Sequence, residues 1–65
     1  MQILTWKART DNNMTLKQLE RISGISKTSL NDIENQKHSP TLYQLESIAK
    51  ALEMKITDLF DSEYK

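Results

Sequence analysis

The sequence predicts an all-α fold: a compact set of five helices joined by short turns, packed as a single domain over residues 1–65. Three observations point there. The chain has one glycine and one proline, so there are few places where regular backbone must break. Its apolar residues recur at spacings of three and four, which gathers them on one side of a helix but scatters them on a strand. Thr15 with Gln18, and Thr41 with Gln44, each match a capping box, in which two side chains satisfy first-turn amides that a helix leaves unpaired.

The first helix is expected from about Gln2 to Thr10, with Leu4 and Ala8 on one face and Ile3 beside them. Asp11-Asn12-Asn13 ends it, because asparagine tolerates a left-handed terminal residue. The second helix starts at Thr15 and offers Leu16, Leu19 and Ile22 to a core. Gly24 supplies a positive φ for a tight turn, Ile25 plugs the angle between helices, and Ser26 caps the next helix. That third helix spans roughly Lys27 to Asn35, with Leu30 and Ile33 inward and Lys27, Thr28, Asn31, Asp32 and Asn35 along the opposite side. The loop Gln36-Lys37-His38-Ser39-Pro40 leads to a fourth helix, from Thr41 to about Leu52. Its stripe of Leu42, Leu45, Ile48, Ala49 and Leu52 is the strongest in the chain and predicts a central, buried element. A last short helix opens at Lys55 or Thr57 and passes through Asp58, Leu59, Phe60 and Asp61 before a polar tail.

Size and composition narrow the function. A chain of 65 residues has room for one modest core and no separate catalytic domain. There is no cysteine and only one histidine, His38, which excludes a disulfide framework and a thiolate zinc site. No nucleophile with a base and an orienting group, no phosphate loop and no paired acids stand out, so the chain reads as a non-enzyme with no catalytic residue, metal or cofactor. No apolar run approaches the about 18 residues of a membrane span, and MQILTWKART lacks the pattern of an export signal, which points to the cytoplasm and away from membranes. Net charge is zero, but its distribution is uneven: six basic side chains face four acidic ones between Lys7 and His38, and three face five from Ser39 onward. A basic half can meet phosphates, although so small an asymmetry also fits mixed solvated surfaces.

Along the chain stand Ala8-Arg9, Met14-Thr15 through Leu19, Gly24-Ile25-Ser26, Leu30, Ile33-Glu34, Ser39-Pro40-Thr41, Leu45, Ile48-Ala49-Lys50-Ala51-Leu52 and Leu59-Phe60. Their order resembles the lambda-repressor-like helix-turn-helix domain of the Cro/Xre family of regulators, over nearly the whole chain. The resemblance implies five helices, with a helix-turn-helix over about 15–35. It also implies sequence-specific binding of double-stranded DNA by a transcriptional regulator, a repressor by expectation, with the third helix in the major groove. Carried over by position, it places Ser26, Lys27, Thr28, Ser29, Asn31 and Asp32 over bases or flanking phosphates. It further implies a structural ion pair between Arg9 and Glu34, with Arg9 on a phosphate as the other reading.

Physical chemistry gives these side chains distinct roles. Lys27 can donate to guanine, Thr28 can touch a thymine methyl and Asp32 can accept from cytosine, each good contact contributing about 1–3 kcal/mol; Asp32 as a plain surface acid is the alternative. The start of the second helix, at Thr15, Leu16 and Lys17, offers free amides and one cation to a phosphate. Asn35, Gln36, Lys37 and His38 are expected at the other side of the groove, with Lys37 the phosphate contact. One domain covers half an operator, so the family pattern implies a homodimer on a palindromic site. Trp6, Ile56, Phe60 and Tyr64 are candidates for the dimer surface, or for the core, as expected of Phe60.

Four departures carry local consequences. Many relatives have Gln at Leu16, Ala at Glu20, and Gly at both Gln36 and Glu53. Leu16 removes a polar group, Glu20 must tilt outward or pair with Arg21 or Lys17, and Gln36 and Glu53 either change their turns or store about 1 kcal/mol of strain. The other functions weighed are an antitoxin or a protein-interaction module built on the same fold.

Overall fold

A computed structural model describes residues 1–65. Four α-helices carry the fold: α1 (Thr5–Asp11), α2 (Leu16–Ser23), α3 (Lys27–Glu34) and α4 (Leu42–Leu52). Each is followed by a residue in the left-handed region: Asn13 at φ 55°, Gly24 at 78°, Gln36 at 62° and Glu53 at 56°. Beyond three of these the chain closes back by five residues, with Met14 N–H donating to Arg9 O at 3.1 Å, Lys37 N–H to Asp32 O at 2.9 Å and Met54 N–H to Ala49 O at 2.8 Å. Gly24 N–H donates to Glu20 O at 2.9 Å in the simpler closure. Gln36 and Glu53 thus hold a turn shape that glycine adopts freely, a conformation that costs an L-residue about 1–2 kcal/mol.

Helix starts follow local chemistry. Thr15 and Gln18 form a complete capping box at α2, as Thr41 and Gln44 do at α4. Ser26 caps α3 by accepting the Ser29 amide at 3.2 Å.

The two ends of the chain correct the purely helical prediction. Gln2–Ile3 is a strand, β1, which pairs antiparallel with β2 (Phe60–Asp61), Gln2 opposite Asp61 and Ile3 opposite Phe60. Leu4 N–H continues the ladder onto Leu59 O at 2.8 Å. The first helix therefore begins at Thr5 rather than Gln2. In place of a fifth α-helix the chain makes a 3₁₀ turn at Ile56–Leu59 and then enters β2. A pairing between opposite termini leaves no trace in local periodicity, and it wins because it satisfies backbone groups that a frayed helix end would leave to water.

Leu19, Leu30, Ile33, Ile48 and Leu59 are fully buried, joined by Ala8, Leu45, Ala49 and Leu52. Ile22 and Leu42, expected inside, are 58% and 76% exposed. In α2 the buried side continues from Leu19 to Glu20 and Ser23, both half-buried, rather than to Ile22. A 3.6-residue period permits either step. Leu42 is the first residue of α4 and lies beyond the rim of the core.

Candidate nucleic-acid interface

Two short helices joined at Gly24 set the candidate interface. Leu30, Ile33 and Glu34 bury one side of α3, which leaves Lys27, Thr28, Asn31 and Asn35 exposed and Ser29 and Asp32 half-exposed. Three contacts fix where this side points. Ser26 caps the helix, the Glu20 carboxylate of α2 accepts the Lys27 amide at 2.7 Å, and Glu34 is clamped from below. Glu20 therefore pairs with neither Arg21 nor Lys17: its partner is the first amide of α3. An anion suits that position because the leading N–H groups of a helix carry partial positive charge.

The clamp on Glu34 is Arg9. Arg9 Nε donates to Glu34 Oε2 at 2.6 Å, Nη2 to Oε1 at 3.1 Å and Nη1 to Met14 O at 2.8 Å. The two side chains are only 12% and 3% exposed. This fork-to-fork geometry joins α1 to the end of α3 and closes the turn after α1 at the same time.

The proposed DNA-facing residues fall into two groups by what their side chains already do. Thr15, Ser26, Ser29, Asn31 and Asn35 are engaged internally. Thr15 Oγ1 accepts the Gln18 amide at 3.1 Å, Ser26 Oγ donates to Ser29 Oγ at 3.0 Å, and Asn35 Nδ2 donates to Asn31 Oδ1 at 3.2 Å and Asn31 O at 2.9 Å. Lys17, Lys27, Thr28, Asp32 and Lys37 make no side-chain hydrogen bond or ion pair within the domain. The ion pairs are instead Lys7 with Asp11 and Arg9 with Glu34. At the start of α2 the capping box leaves the Leu16 and Lys17 amides without an internal partner. A cation and two aligned N–H groups thus stand together one helix away from α3.

Leu16 is half-buried and packs against the core cluster, which accounts for an apolar residue at this helix start. Of the residues weighed for a subunit contact, Ile56 and Phe60 are half-buried against the core, whereas Trp6 is 57% and Tyr64 90% exposed. His38 lies exposed in the loop. Gln36, expected at the groove, turns its amide to the other side and bonds Ile3 of β1. Sequence reasoning missed this and the Glu20 cap; a polar residue in place of a small one beside a tight turn was the only signal for either.

No helix is long and apolar enough to cross a membrane. The sequence matches the helix-turn-helix family model over residues 7–59. A comparison with curated proteins finds no match. Among solved structures, the fold is similar to the crystal structure of the restriction-modification controller protein C.AhdI from Aeromonas hydrophila. The TM-score is 0.82 at 21% identity, over 86% of this chain and 85% of that one, a likeness of fold.

Proposed function

Because the chain belongs to the Cro/C1-type helix-turn-helix family, we propose that it binds a specific stretch of double-stranded DNA as a transcriptional repressor, with α3 in the major groove. The observation that carries this reading is the outer side of α3. It is short, exposed and polar, its orientation is fixed by three contacts, and it offers Lys27, Thr28 and Asp32 free of internal partners. A helix of that kind fits the groove and can reach base edges from its first turns.

In this reading Lys27, Thr28 and Asp32 contact bases, and Ser26, Ser29, Asn31 and Asn35 shape the surface between them. Lys17 and Lys37 meet phosphates on either side, with Thr15 presenting the α2 amides to one of them. Arg9 and Glu34 hold the frame and touch no DNA. The protein acts in the cytoplasm as a homodimer on a palindromic operator.

Selection from random DNA fragments, followed by titration at rising salt, tests the proposal. The expected result is an enriched palindrome whose affinity falls steeply with salt. Enrichment of nothing, with binding at most weak and sequence-independent, refutes it and leaves an antitoxin or protein-interaction module.

A further inference from the structure

Gln36 interrupts the surface just described. It sits between Asn35 and Lys37, yet its side chain is directed at the opposite end of the chain. Ile3 N–H donates to Gln36 Oε1 at 3.2 Å, and Gln36 Nε2 donates to Ile3 O at 2.9 Å and to Glu34 O at 3.4 Å. Within an antiparallel ladder, a residue between two hydrogen-bonded pairs turns its own N–H and C=O away from the partner strand. Ile3 is such a residue, since Gln2 faces Asp61 and Leu4 bonds Leu59. The Gln36 amide occupies the place of a third strand, and the ribbon it joins lies against the core, with Ile3 buried and Phe60 half-buried.

The backbone accepts a penalty for this arrangement. At φ 62° the position favours glycine, and a long side chain there is strained in a way the bonds to Ile3 offset. From His38 to Pro40 the chain makes no internal hydrogen bond, and Lys37 N–H returns only to α3 itself. The Gln36 amide is therefore the sole hydrogen-bonded tie between this loop and any element other than α3.

We propose that Gln36 is a positioning residue for DNA recognition: by fastening the end of α3 to β1 it holds Asn35 and Lys37 in register with the groove. The inference rests on the DNA-binding reading above. It goes beyond that reading in making the β1–β2 ribbon part of the recognition apparatus, although the ribbon touches no DNA.

Two variants separate positioning from plain stability. Gln36→Gly relieves the φ demand and loses both bonds to Ile3; Gln36→Met keeps the demand and the side-chain length and loses the same bonds. Gln36→Met should melt at the lower temperature. Both should nevertheless lose about tenfold in preference for the selected DNA over random DNA of equal length, the equivalent of one directed contact. Both should also show faster hydrogen exchange at the Ile3 amide by NMR. A preference that tracks melting temperature, with Gln36→Gly reading DNA as well as the unaltered chain does, overturns the proposal, and so does unchanged exchange at Ile3. If the unaltered chain prefers no DNA at all, the DNA reading falls and the positioning role with it; the Ile3 exchange would still show whether the anchor exists.

Discussion

Replacing Glu34 by alanine should remove most of the stability of this domain. The Glu34 side chain is 3% exposed and meets Arg9 through two bonds, at 2.6 and 3.1 Å, while Arg9 also holds Met14 O at 2.8 Å. Taking away one partner strands the other charge in a site where water reaches only 12% of its side chain, a loss of about 3–5 kcal/mol. A chain of 65 residues has roughly 3–10 kcal/mol to lose, so the variant should be largely unfolded at body temperature. Arg9→Met should cost about as much, for it leaves a buried carboxylate without its cation. The double variant Arg9→Met with Glu34→Leu strands no charge and should recover at least half of the loss. Urea unfolding followed by circular dichroism gives all three values. A cost under about 1 kcal/mol for either single variant, the range of exposed pairs, would refute the argument that the pair holds the frame from a desolvated site.

Three further outcomes follow from other parts of the structure. Glu53 stands at φ 56° and its side chain makes no hydrogen bond, so Glu53→Gly should raise stability by about 1 kcal/mol, read as a higher urea midpoint at unchanged slope. Thr5 is 1% exposed and its hydroxyl has no partner, so Thr5→Val should stabilise the domain by about 1 kcal/mol in the same assay. If Lys17 and Lys37 each meet one phosphate, alanine at either position should lower the slope of log affinity against log salt by about 0.9 per bound subunit and leave base preference unchanged. A changed preference would mark that lysine as a base reader.

Much of the fold is legible in the sequence because its signals are local. The capping boxes at Thr15 and Thr41, the turn at Gly24 and the stripe from Leu45 to Leu52 each depend on residues within two helical turns. What escapes local reading involves distant partners. β1 forms only because Phe60 and Asp61 return beside it, and whether Ile22 or Ser23 is the more buried depends on how α2 meets the rest of the domain. The candidate site divides in the same way. The sequence marks the outer side of α3, but it does not reveal that Asn31 and Asn35 bond one another, that Ser26 and Ser29 do likewise, or that Glu20 reaches across the turn.

Those internal bonds bear on how a chain with no net charge could read DNA. Two helix starts lie near the interface, and the structure treats them differently. At α2 the Leu16 and Lys17 amides are open beside a lysine, an arrangement suited to a phosphate. At α3 the Lys27 amide is already taken by the Glu20 carboxylate, and Ser26 takes that of Ser29. An anion fixed at the head of α3 repels a phosphate from that point, while a base edge, which carries no formal charge, meets far less repulsion. If the chain reads DNA as proposed, backbone attraction falls to α2 and the loop at Lys37, and the first turn of α3 discriminates among bases. On this account selectivity owes more to where anions are excluded than to an excess of cations, and neutrality is compatible with a specific interface.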